Sequence, residues 1–139
     1  MMFMKRRMLI GALFWPAMAW AHSYKFGDLA IGHAWIMANP NLEASAMVPI
    51  VNDGPETDSL IGAKSEIAQS IELRDNTGVV PEFVLEPNKP FPMREAAKHL
   101  QLLGLKKPLV KGDRVMVVLT FKRAGETKIE FHVNDKAGE

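Results

Sequence analysis

Four histidines, His22, His33, His99 and His132, are the side chains of this 139-residue sequence best suited to hold a metal ion, because the sequence contains no cysteine. Without thiols there is no thiolate nucleophile, no Cys-ligated zinc, no iron–sulfur cluster and no blue-copper centre. His22 and His33 are the informative pair. Between them Gly27-Asp28, flanked by Tyr24, Phe26, Leu29 and Ile31, has the form of a two-residue hairpin loop with glycine first. Such a loop sets Phe26 against Leu29 and Tyr24 against Ile31, and the continued ladder puts His22 directly opposite His33. Facing residues have β-carbons about 4.5–5.5 Å apart, near enough for two imidazoles to converge on one ion. A chain beginning at His22 adds its α-amine to the two rings, and three nitrogen donors favour copper(II), which heads the divalent affinity series. The amine has an ordinary pKa of about 7.7–8.0, so the metal competes with a proton near neutrality. The competing reading is a frayed terminus beside a hydrogen-bonded histidine at the core edge.

A start at His22 is what the preceding segment suggests. Lys5, Arg6 and Arg7 lead an apolar run from Met8 to Trp20 that ends in Ala19-Trp20-Ala21, the layout of a cleaved secretory signal peptide over residues 1–21. The run is shorter than the ~20 residues of a membrane span and is interrupted by Pro16. The rival is an uncleaved anchor. Removing the segment takes three of the 17 basic residues and none of the 16 acidic ones, leaving 14 against 16 and a formal charge of −2. No basic surface remains to argue for nucleic acid. Residues 22–139 suffice for one domain with one core, and without disulfides its stability comes from packing. No cysteine is present to carry a lipid. The expected location is the periplasm.

The elements that must position the histidines read as short strands. Met47–Val51 runs into the turn Asn52-Asp53-Gly54, with Pro49 marking an edge or an irregularity. Ile67–Leu73 and Val79–Leu85 flank Asp75-Asn76-Thr77-Gly78, and Pro87, Pro90 and Pro92 mark a non-helical connection. Val115–Phe121 and Thr127–Val133, joined through residues 123–126, form a β-hairpin. In its second strand Ile129, Phe131 and Val133 share one face, which places His132 on the other with Glu130 as a solvated residue. The one helical candidate, Glu95–Leu105, is weakened by Gly104 and the preceding prolines. Strands at this spacing suggest a sandwich.

The stretches GDLAIGHAW (27–35), DSLIGAKS (58–65) with IEL (71–73), and HLQLLGLKKPLVKGDRVMVVLTF (99–121) resemble the periplasmic copper chaperone family PCu(A)C. The resemblance runs from Leu29 to Val133 and implies an all-β, cupredoxin-like Greek-key sandwich. It also implies a copper(I) site of two histidines and two methionines, from which this sequence departs. Arg74 stands where the family has the histidine after Glu-Leu, Glu82 or Phe83 where it has the first methionine, and Gln101 where it has the second. His99 alone survives. A guanidinium cannot deprotonate to bind metal and repels a cation, and soft thioethers are what copper(I) prefers. The family's usual site is therefore expected to be lost. The His22/His33 arrangement resembles instead the histidine brace of other copper proteins, and His99 joins it only if it folds toward the terminus.

The expected function is a copper-binding protein or chaperone, not an enzyme, holding copper(II) through His22 and His33 with His99 as a further candidate ligand. Its partners are the copper ion and a copper-dependent membrane or periplasmic acceptor. One alternative is a metal-free interaction domain that kept the sandwich and lost the site. The other is a copper-dependent oxidative enzyme, disfavoured because residues 22–139 keep one tryptophan, Trp35, and one tyrosine, Tyr24, as an aromatic platform. No nucleophile-elbow, zinc-protease or phosphate-loop pattern occurs.

Overall fold

A computed structural model of the chain describes residues 24–136. His22 and the 1–21 segment lie outside the described residues. The described chain folds into thirteen strands: β1 Tyr24–Phe26, β2 Leu29–Ile31, β3 Trp35–Met37, β4 Glu43–Met47, β5 Ile50–Asn52, β6 Asp58–Lys64, β7 Ser70–Asp75, β8 Gly78–Val79, β9 Phe83–Leu85, β10 Pro90–Phe91, β11 His99–Leu103, β12 Arg114–Phe121 and β13 Gly125–Asn134. No helix occurs among the described residues, and the helical candidate contains β11 instead. Leu100, Gln101 and Leu102 of β11 are all buried between β4 and β7, and pairing on both sides prevails over a weak local helical preference.

Nine strands form one sheet in the order β9-β6-β12-β13-β3-β4-β11-β7-β8, and four form another in the order β10-β5-β2-β1. Although β6 and β7 stand six places apart in the larger sheet, they touch, so that sheet curls back on itself. The expected all-β, cupredoxin-like sandwich is the observed architecture. All strand pairs are antiparallel except β13 with β3, which run parallel with His132 beside Trp35.

The first hairpin has the expected register, Phe26 with Leu29 and Tyr24 with Ile31. Gly27 sits at φ 59°, the positive angle that the first position of a Gly-x turn requires. The expected Met47–Val51 strand is divided. Met47 ends β4, Val48-Pro49 carries the chain across to the smaller sheet, and Ile50 begins β5. Proline has no N–H for a ladder, but the Pro49 carbonyl accepts a hydrogen bond from Gly32 N at 2.8 Å. That bond ties together two of the places where the chain changes sheets, β2 to β3 and β4 to β5. Val79–Leu85 is likewise divided, into β8 and β9 around Pro81.

The core follows the two-residue period of the strands. In β12 Val115, Val117, Leu119 and Phe121 face inward, and in β13 Ile129, Phe131 and Val133 do. Two buried polar groups are fully used. Asn52 donates from Nδ2 to the carbonyls of Glu56 (2.8 Å) and Leu85 (2.9 Å) and accepts from Gly54 N (3.0 Å). The Asp58 carboxylate accepts from the backbone N–H of Ser59 (2.8 Å), Arg123 (2.7 Å) and Ala124 (3.1 Å), and so holds the β12–β13 turn.

Candidate metal centre

His33 lies in the short link between β2 and β3, and its neighbours on either side are tied down. Gly32 N donates to Pro49 O at 2.8 Å, and Ala34 O accepts from His132 N at 3.1 Å. A β-carbon at residue 32 would stand 3.2 Å from that of Pro49, so a side chain there would press the two crossings apart. The Ala34–His132 bond adjoins the parallel β3–β13 pairing, and the imidazoles of His33 and His132 lie beside each other with ring centres 5.1 Å apart and planes tilted by 45°.

His132 does share a face with Glu130, as alternation requires, and its Nε2 lies 3.3 Å from Glu130 Oε1. It is not a freely solvated residue: its side chain is 39% exposed and its ring packs on His33. Arg114 sits opposite His132 across the β12–β13 ladder, with its guanidinium 3.9 Å from the same Glu130 oxygen. Alternation within one strand could find the face of His132. The parallel neighbour that carries His33 alongside has no local signal.

His99 occupies a different neighbourhood. It stands directly across the β11–β7 ladder from Arg74, so two of the four positions the family resemblance singles out are cross-strand neighbours. Each has found another use. Arg74 donates from Nε (2.9 Å) and from its terminal nitrogen (2.7 Å) to Glu72 Oε1. Gln101, which is buried, donates to Glu43 Oε1 (2.9 Å), and this turns its Oε1 toward Ser45 Oγ (3.2 Å) and His99 Nε2 (3.1 Å). His99 Nδ1 lies 2.8 Å from Ala97 O. Both ring nitrogens of His99 thus lie within hydrogen-bond distance of an oxygen atom, and an incoming cation would have to displace one of these contacts to reach the ring.

The structure does not bring His99 to His33. One rung of the large sheet runs from His132 through Trp35 to Met47, and the next position along it is His99. Three strand spacings, roughly 14 Å, separate the backbones of His132 and His99. Among the described residues no group of three or more His, Cys, Asp or Glu side chains is placed to hold a metal ion. His33 and His132 bring together two such side chains, one fewer than a group of three.

The chain is similar to known proteins in sequence and in fold. The family model described as "Putative lipoprotein LpqE-like" matches residues 29–133. A protein of Leifsonia xyli subsp. xyli named "Putative lipoprotein Lxx21020" is 26% identical over 132 residues, covering 88% of this chain and 80% of its own length. Among solved structures, the apo PCuAC domain from PmoF1 is 27% identical and superposes with a TM-score of 0.77, over 83% of this chain and 100% of that one. The copper-bound PCuAC domain from PmoF2 is 26% identical with a TM-score of 0.76, over 83% and 99%. With a family model spanning the strands from β2 to β13 and PCuAC domains sharing the whole fold, this chain belongs to the LpqE-like family and carries a PCuAC-type domain.

Proposed function

We propose that this protein binds copper in the cell envelope and holds or delivers it, rather than acting as an enzyme. A PCuAC domain of the same fold, 26% identical, is known with copper bound, and relatives carry the name of lipoproteins, which fits an exported chain. The leader over residues 1–21 is removed after Ala21. His22 then supplies its α-amine and its imidazole, and His33 a second imidazole, to a copper(II) ion. The observation that supports this reading is the β1–β2 register, Phe26 opposite Leu29 and Tyr24 opposite Ile31; carried two residues past the end of the observed ladder, the same register would pair residue 22 with residue 33 in the link that follows β2. Nitrogen donors favour copper(II) over copper(I), which would want the thioethers that positions 82–83 and 101 lack. His99 is left out of the site, because Ala97 and Gln101 already engage its ring. The recipient is a copper-dependent protein of the membrane or periplasm.

The test is a copper(II) titration of protein that starts at His22, beside protein with one alanine ahead of it. Blocking the α-amine is expected to weaken binding at least tenfold. Equal affinity would remove the amine from the site. A second reading has its own observation: the Arg74–Glu72 pair and the Gln101–Glu43 bond occupy the family's metal position, as in a domain kept for interaction without metal. Absence of copper binding by both proteins would favour it.

A further inference from the structure

We propose that His132 is a metal ligand, so that the copper is received between His33 and His132 on the outer side of the β3–β13 pair. This inference rests on the copper(II) reading and changes its donor set. Imidazole nitrogens bind such ions at about 2.0–2.1 Å, which places the metal roughly 3.2 Å from the ring centre. Two rings bound at adjacent positions of one ion, with angles of roughly 90–110° at the metal, therefore have centres about 4.5–5.2 Å apart. The observed separation is 5.1 Å. The rings come from elements remote in sequence, and the hydrogen bond from His132 N to Ala34 O fixes one backbone against the other, so the pair is assembled before any metal arrives.

The charges around the pair are nearly balanced. Glu130 lies 3.3 Å from His132 and 3.9 Å from the guanidinium of Arg114, which sits across the ladder from His132. That carboxylate offsets the repulsion a cation would otherwise meet, and it orients the His132 ring as a hydrogen-bonded carboxylate commonly does for a ligating histidine. Both imidazoles belong to the folded domain, so the pair does not depend on the α-amine for its assembly. Copper binding therefore survives, weakened, when the α-amine is blocked.

The experiment compares four proteins: the form starting at His22 and the form with an added alanine, each with His132 and with His132→Phe. Phenylalanine keeps a ring against His33 and removes both donor nitrogens, so a packing role is preserved and a ligand role is not. Thermal melts confirm folding; should His132→Phe fail to fold, His132→Gln replaces it. Copper(II) affinity is measured by competition titration, nitrogen couplings by paramagnetic resonance, and nickel(II), which also takes imidazole, serves as a second probe. Loss of His132 is expected to weaken copper(II) binding at least tenfold in both forms and to remove one nitrogen coupling. Unchanged affinity and spectra in both forms would overturn the proposal, as would failure of the wild-type forms to bind either metal. If the added alanine changes nothing while His132→Phe still weakens binding, the α-amine reading fails and the two-imidazole site stands.

Discussion

His33 and His99 have the same chemistry by residue type, and their neighbours separate them. His33 shares its surroundings with a second imidazole, whereas both nitrogens of His99 are engaged by Ala97 and Gln101. Accordingly, His99→Ala should leave copper(II) affinity within about a factor of two, while His33→Ala should lower it at least tenfold; the same competition titration reads both. Tyr24 allows a test on a titrating residue. It is the sequence's one tyrosine, and burial, only partly offset by its hydrogen bond to Thr127 Oγ1 at 3.4 Å, raises the pKa of its phenol above the ordinary value. The folded state thus favours the protonated phenol. Its contribution to stability is present in full below the unfolded pKa of about 10 and is lost as pH rises through the higher folded value. Phenolate absorbance should accordingly appear at higher pH in the folded protein than in the urea-unfolded chain, and a midpoint at or below that of the unfolded chain would contradict the burial.

At the level of elements, the β12–β13 hairpin positions His132, and its turn is held from outside by Asp58 at the start of β6. Two of the three bonds to that carboxylate come from Arg123 N and Ala124 N in the turn. Asp58→Ala leaves one buried and two part-buried N–H donors without partners, and a loss of about 2–4 kcal/mol in urea unfolding is expected. Asp58→Asn keeps one acceptor oxygen and should lose about half as much. The strands themselves were largely legible, because alternation in Val115–Phe121 and Thr127–Val133 follows from one face being buried, and Gly27-Asp28 announces its turn by backbone chemistry alone. The errors came where prolines divide an apolar run, at Pro49 and Pro81, and at His99–Leu103. There burial on both sides of a central strand erases the period that a sequence pattern needs.

On the scale of the whole molecule, one core carries the stability, and any metal that binds only the folded state adds to it. Copper at a hundredfold excess over its dissociation constant should contribute about 2.7 kcal/mol. For a domain of this size that raises Tm by roughly 10 °C in a calorimetric scan. A Tm indifferent to copper would sink the binding reading. Phe131→Ala, at the centre of the core, should cost about 3–5 kcal/mol and abolish the copper response only by unfolding the domain. By itself the sequence determined what local physics can specify: a thiol-free sandwich, the first hairpin and its register, and the departure from the family's ligands at Arg74 and Gln101. Only the tertiary structure decided which histidines meet. The parallel pairing of β13 with β3 joins residues about a hundred positions apart through backbone hydrogen bonds that are the same for every side chain, so no residue pattern announces that His132 lies against His33.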